Sequence, residues 1–435
     1  MTPDERRRRT LRRAKGLPLL IAALLLAASM GVAACGGGDN EEAKFDLKIG
    51  DIVPLTGDLA DFGPPGRKAA NLAIDQIKKG IKDAGVDETV SIQHENSQTD
   101  PQASVSAARK LADAGVACIA GEWASADSIP VAKSVTIREK ILQISPASTS
   151  DEITGLKDDG LVNRTAPPDK FQGPALSNAI EKDLGGAQGK TVNIGARNDA
   201  YGTGLAGTFE KAWTAKGGKI GQKVIYDPKQ PSYNSEAQKI ASGNPDAWVI
   251  VDFPETYNKV GPALVRTGKW DPKKTWGTDG LASSGLPESA GTAATEGFRG
   301  TAPGAPEKNP EPAEAFDRLY TSSAPKSIKR QTFDAQNFDA VILCYLSAVA
   351  AGEADGQKMA DNVRDISAPP GTSYSWEQLP AAIKALKDGD DIDYVGAAGG
   401  IDMNDAGDAT SGVYDTYRYK NGKIEIYGEL PIPKQ

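Results

Sequence analysis

Histidine is almost absent from this chain: among 435 residues there is one, His94, and cysteine is scarce too, at Cys35, Cys118 and Cys344. A single imidazole excludes multi-histidine metal sites and most histidine-based acid–base catalysis. Basic residues are in deficit, 50 Lys and Arg against 58 Asp and Glu, for a net charge of −8. With no basic face to neutralise phosphates, the composition argues against a nucleic-acid partner. Aromatic residues are sparse at 6%, yet 39% of the chain is apolar and 25% charged, which rules out disorder, collagen and a small disulfide scaffold. The length suffices for two or three domains with full cores. The composition points to binding and away from chemistry, with no enzyme activity, cofactor or metal indicated.

The charge is unevenly spread. Residues 1–34 hold seven basic groups, Arg6 to Arg9, Arg12, Arg13 and Lys15, against Asp4 and Glu5, so residues 35–435 carry 43 basic and 56 acidic groups, a net of −13. The basic cluster precedes an apolar stretch, Leu17 to Ala28, and the small residues Val32-Ala33-Ala34. These are the three parts of a secretory signal peptide, which sets 1–34 apart from the fold and sends the chain out of the cytoplasm. Cys35, directly after Val-Ala-Ala, resembles the lipobox cysteine of bacterial lipoproteins. That resemblance implies cleavage before Cys35, lipidation of its thiol and anchoring to the cell membrane. Residues 35–45 read as a flexible tether. An uncleaved transmembrane anchor and a plain secreted protein stay open as alternatives; Pro18 and the run of small residues oppose the first. Export permits a disulfide, but Cys118 and Cys344 both sit in apolar runs, and the sequence favours buried free thiols.

From Phe45 short apolar runs alternate with amphipathic stretches. Strands are expected at 47–53, 90–94, 116–120, 141–144, 191–196, 219–226 and 247–251, with helices at 67–79, 103–114, 128–139, 202–216 and 256–267. Strict alternation of this kind predicts parallel sheets with helices on both faces. Seven such units exceed one small sheet, and Asn163-Arg164-Thr165-Ala166-Pro167-Pro168 is the natural break. After Gly300 the order becomes irregular: a proline-rich loop over 301–312, a helix around Phe316, and a helix over 333–351 that is apolar almost all round and so deeply buried. Two strands, 412–420 and 423–427, close the chain around an Asn421-Gly422 hairpin turn.

Two nucleotide motifs nearly form, and neither has the right context. Gly202-Thr203-Gly204-Leu205-Ala206-Gly207 matches G-x-G-x-x-G, but five residues separate it from the preceding strand, whereas a dinucleotide turn needs glycine at the strand end. The Gly185–Thr191 stretch lacks a Walker glycine and precedes a strand, as a surface turn does. More informative are the carboxyl ends of the first strands, where open α/β sheets bind ligands. One ends in Pro54-Leu55-Thr56-Gly57, one in Gly121-Glu122-Trp123-Ala124-Ser125, one in Ser145-Pro146-Ala147-Ser148-Thr149. Ser125 and Thr149 each stand just before a helix, where free N–H groups favour an anion such as a carboxylate. Ser125 is also readable as a plain N-cap, and Thr149-Ser150-Asp151-Glu152 as a capping box.

Pro-Leu-Thr-Gly with a following aromatic-Gly, Gly-x-x-x-Ser, Ile-Ser-Pro-Ala-x-Thr, Arg-Thr at the break, Tyr-Gly-x-Gly opening a helix, and Trp-Gly-Thr-Asp-Gly occur here in a telling order. In that order they resemble the leucine/isoleucine/valine-binding proteins, the extracytoplasmic substrate-binding components of branched-chain amino-acid ABC transporters. The resemblance covers about residues 46–430. It implies an α/β fold of two doubly wound lobes joined by three hinge crossovers, the type I periplasmic-binding fold. The implied crossovers lie near 163–168, 300–302 and 396–400, giving lobe 1 as 46–165 plus 302–397 and lobe 2 as 166–301 plus 398–435. It implies that Ser125 and Thr149 hold a ligand α-carboxylate, that the Ala147 carbonyl takes the α-ammonium, and that Asp279 pairs with that ammonium from the other lobe. Tyr201 matches a ligand-facing tyrosine, Phe62 and Phe253 wall the side-chain pocket, and Trp123 crowds the carboxylate loop. The implied partners are an amino-acid-like ligand or small amide, an ABC permease, and the membrane through Cys35. A sensor with the same clamp, signalling to a partner in place of feeding a permease, is the alternative.

Overall fold

The computed structural model describes residues 44–305 and 310–432; Cys35 and the leader lie outside the described residues. The seven expected strands form as β1 (Asp46–Val53), β2 (Thr89–Asn96), β3 (Cys118–Ala120), β4 (Leu142–Ser145), β6 (Thr191–Arg197), β7 (Lys219–Tyr226) and β8 (Ala247–Val251). The sequence pattern missed β5 (Val162–Arg164), β9 (Thr275–Gly277) and β10 (Arg299–Gly304), none of which is an apolar run. β10 takes the first four residues of the expected proline-rich loop, and β5 takes the first two of the expected break.

Two lobes result. The first holds a fully parallel sheet in the order β2-β1-β3-β4-β5. Strands β3, β4 and β5 are buried at every position, as strands covered on both faces must be. The second lobe completes a seven-stranded sheet with the hairpin β14 (Val413–Lys420) and β15 (Lys423–Pro431), in the order β15-β14-β10-β9-β8-β6-β7. Asn421 and Gly422, at φ 53° and 71°, make the expected turn of that hairpin. A small third sheet of β11 (Thr372–Ser375), β12 (Ile392–Gly396) and β13 (Gly399–Gly400) lies between β10 and the hairpin in sequence.

The helices follow local signals. Asp100 caps the helix Pro101–Asp113, its Oδ1 accepting from Gln102 N at 3.0 Å and Ala103 N at 3.1 Å, with proline at the first helical position. Gly63–Ala84 buries Ala69, Ala70, Ala73, Ile74, Ile77 and Ile81 at helical spacing and ends on Gly85 in the left-handed region. Asp334–Ala351 is buried from Asp334 through Val349, as its largely apolar surface requires. It packs on Gly63–Ala84 and on β3, and there Cys344 meets Cys118 in a disulfide, Cα atoms 5.8 Å apart. The expected free thiols are therefore corrected. Apolar neighbours gave the burial of each cysteine but not their proximity across 226 residues.

The chain passes between the lobes three times: after β5, after β10, and after β13. The first and third passages are tied by a buried ion pair, with Arg164 Nη2 and Nε at 2.6 and 3.0 Å from Asp408 Oδ1. Arg164 Nη1 also donates to the carbonyls of Ser148 (3.2 Å) and Ser150 (2.9 Å). The guanidinium that joins the passages thus fixes the loop carrying Thr149.

Candidate functional site

In each sheet the strand order reverses beside the first strand, and the crevice outside the carboxyl ends at such a reversal is where doubly wound sheets take ligands. In the first lobe the crevice lies between β1 and β3, in the second between β6 and β8. The two crevices face each other across a cavity of only about 10 Å³, room for about one water and far below the roughly 300–1,000 Å³ typical of occupied ligand sites. Seven of the eight residues expected from the sequence line it: Phe62, Trp123, Ser125 and Ala147 from one lobe, Tyr201, Phe253 and Asp279 from the other. Leu59, Gly280 and Phe333 complete the wall. Thr149 does not line it. Its hydroxyl is buried in the loop directly behind Ala147.

The hydroxyl positions are freed from capping. Ala124 is the N-cap residue of the helix beginning at Ser125, with no side-chain cap, and that helix starts three residues before the expected 128. Ser125 Oγ instead accepts from Ser150 N at 3.1 Å, pinning the two loops together. Ser150, not Thr149, caps Asp151–Thr154 by accepting from Glu152 N. Both capping readings are thus corrected, and the Thr149 hydroxyl is left facing the buried Asp169 carboxyl.

On the opposite wall Asp279 opens a short turn after β9 and accepts from the Tyr201 hydroxyl at 2.9 Å. Burial pushes its carboxyl up to about 6, against the hydrogen bonds from Tyr201 and Gln172. Tyr201 stacks on Phe253 at 5.0 Å between centroids. Gly280 is sterically required here, since a Cβ would fall 2.6 Å from the Asp252 carbonyl and 3.0 Å from the Tyr201 hydroxyl. Asp169, the first residue of the helix Asp169–Leu184, is buried beside the Thr149 hydroxyl. Burial first, then the nearby Asp279, holds its pKa well above the ordinary carboxylate range.

Sequence reasoning missed Arg197 at the end of β6. Its guanidinium lies 3.8 Å from the Phe253 ring centroid and bonds Asp199, and its Nη2 reaches Asp58 of the first lobe at 2.9 Å. Burial opposes its charge, but Asp199, Asp252 and Asp58 outweigh that and hold it protonated. Ser283 bonding Asp61, and Thr332 Oγ1 donating to Ala282 O at 3.0 Å, also join the walls, so the cleft is closed. Phe333 gave no sequence signal as a wall residue either; it sits at φ 73°, a conformation that a bulky side chain adopts only under strong packing constraint. The lone His94 is outside the site, held between Asp51 (2.6 Å) and Asn71 (2.9 Å). The G-x-G-x-x-G stretch lies inside the helix Ala200–Ala215, and its first glycine N–H is taken by Asp199 at 2.9 Å.

A family model described as periplasmic binding protein matches residues 46–414. The Leu/Ile/Val-binding protein BraC3 of Rhizobium johnstonii is 28% identical over 391 residues, covering 88% of this chain and 94% of its own. The leucine-, isoleucine-, valine-, threonine-, and alanine-binding protein of Pseudomonas aeruginosa is 27% identical over 345 residues, 78% of this chain and 87% of that one. Among solved structures, a leucine-binding protein of Thermotoga maritima superposes with a TM-score of 0.71 at 23% identity, covering 88% of this chain and 98% of that one. A solute-binding protein of R. palustris in complex with benzoate gives 0.70 at 20% identity, over 90% and 98%.

Proposed function

The chain belongs to the leucine/isoleucine/valine-binding family of type I periplasmic binding proteins, and from that premise we propose that it is the extracytoplasmic substrate-binding lipoprotein of an ABC transporter. Its ligand is an amino acid or related small amide, taken between two closing lobes and passed to a permease. The observation that carries this is the composition of the closed cavity, with hydroxyl-bearing loops on one wall and the Asp279–Tyr201 pair on the other. A zwitterion leaving water needs both charges paired. Ser125, with Thr149 behind it, serves the carboxylate; the Ala147 carbonyl and Asp279 serve the ammonium; Phe62, Phe253 and Trp123 enclose the side chain. Only the closed state contacts ligand from both lobes, so ligand stabilises closure.

The lobe limits are proposed as 46–165 plus 302–397 and 166–301 plus 398–435, with one change. The second limit moves to Gly304, because β10 stays paired with β14 to that residue. Cys35 is proposed as the lipid anchor; loss of radiolabelled lipid in Cys35→Ala supports it, and persistent labelling contradicts it. Calorimetry of ligand-stripped protein against the twenty amino acids, short amides and benzoate tests the function. Binding of an α-amino acid or amide is expected. Binding of benzoate alone would remove the role given to Asp279.

A further inference from the structure

Trp123 lines the cavity, is only 2% exposed, and its indole Nε1 is buried with no acceptor in the protein. Trp270 and Trp276 also carry a buried indole N–H without an acceptor, but of the three only Trp123 lines the cavity, where a ligand can satisfy the donor. The ring is not free to turn elsewhere. Its benzo edge lies against Gly66, where an added Cβ would be 2.3 and 2.5 Å from Cζ2 and Cη2. Phe333 meets it edge to face, centroids 6.4 Å apart and planes at 83°, and Trp123 N is bound to Glu122 Oε2 at 3.1 Å. The Phe333 π-face is at most a weak acceptor. Leu59, Phe62, Phe253 and Phe333 supply the apolar part of the cavity wall.

We infer that the ligand carries a neutral hydrogen-bond acceptor on its side chain, such as an amide carbonyl, and that the Trp123 indole N–H is the donor that recognises it. The inference rests on the amino-acid reading above and narrows it to an amide-bearing ligand in place of a purely aliphatic one. Neutrality follows from the surroundings. Glu122, fully buried and with Oε1 unpartnered, adjoins Trp123, and Asp127 and Asp51 lie beyond it. A second carboxylate on the ligand would enter a neighbourhood already rich in buried acids. A site built to hydrogen-bond a ligand group also discriminates strongly against the isostere that lacks it, because its own donor is then left unpaired.

Asparagine and leucine are close in shape and differ in this group, so calorimetry with asparagine, glutamine, aspartate and leucine on the wild type and on Trp123→Phe tests the inference. Wild type is expected to bind an amide amino acid at least about tenfold more tightly than leucine or aspartate. Trp123→Phe is expected to lose about tenfold for the amide while leucine changes by less than about threefold. Leucine binding best, with Trp123→Phe leaving the order unchanged, overturns the inference and leaves the amino-acid reading intact. Binding of no amino acid removes that reading and the inference together. If Trp123→Phe fails to fold, the wild-type indole ¹⁵N–¹H resonances give the same answer: one of the six tryptophans shifts downfield with the amide ligand and not with leucine, and no such shift overturns the inference.

Discussion

At the scale of single residues, the proposed site gives Ser125 and Asp279 the pairing of two opposite charges. Ser125 Oγ accepts one backbone N–H, from Ser150, so its own proton is available to a carboxylate. Removing it in Ser125→Ala leaves that carboxylate one donor short and should weaken amino-acid binding by about 1–3 kcal/mol; an unchanged calorimetric affinity would reduce Ser125 to a loop pin. Asp279, pushed up to about 6 by burial, gains a proton as pH falls through that value and loses the charge proposed to hold an ammonium. Affinity for an amino acid should therefore decline between pH 7 and pH 5. In Asp279→Asn it should be weak at both, with the pH dependence flattened. A mutant as pH-sensitive as the wild type would assign the titration to another group.

At the scale of elements, the disulfide decides how the helix Asp334–Ala351 is held. That helix follows the second passage between lobes yet packs on the first lobe, and the Cys118–Cys344 bridge fastens it to β3. Closing so long a loop restricts the unfolded chain, and reduction or Cys344→Ser should cost about 2–5 kcal/mol in urea unfolding. Equal midpoints for oxidised and reduced protein would show that the helix is held by packing alone. The passages themselves are braced by Arg164–Asp408 and by Asp339, whose carboxylate accepts from Ala397 N (2.7 Å) and Ala398 N (2.8 Å) beside the third.

At the scale of the whole molecule, buried acids set the response to pH. Burial raises Asp127, Asp252, Asp334 and Asp339 to about 7 and Asp279 to about 6, against roughly 3.9 in an unfolded chain. The folded state therefore binds more protons than the unfolded one between about pH 4 and pH 7. Stability from these groups is present at the acid end of that window and declines as pH rises through 6 to 7. Asp408 and Asp100 are shifted the other way and lose their contribution only below the ordinary carboxylate range. Thermal unfolding of ligand-free protein should show a higher midpoint at pH 5 than at pH 8; the reverse order would mean that other groups outweigh the buried acids.

The sequence by itself determined what local order encodes: alternation of strand and helix, burial of the helix expected over 333–351, the Asn421-Gly422 turn, and the strand-end loops that carry Trp123, Ser125 and Ala147, while Phe62, Tyr201, Phe253 and Asp279 were implied by the order of motifs that resembles a known family. Each depends on neighbours a few residues apart, within one turn or one pleat. Only the tertiary structure decided which strands adjoin, that Cys118 and Cys344 bond, that Ser150 caps in place of Thr149, that Arg197 reaches Asp58, and that the Trp123 indole has no partner. Those outcomes rest on contacts between residues tens to hundreds of positions apart, and on the burial that such contacts create. A side chain's lack of an acceptor in particular is visible only once every neighbour has been placed.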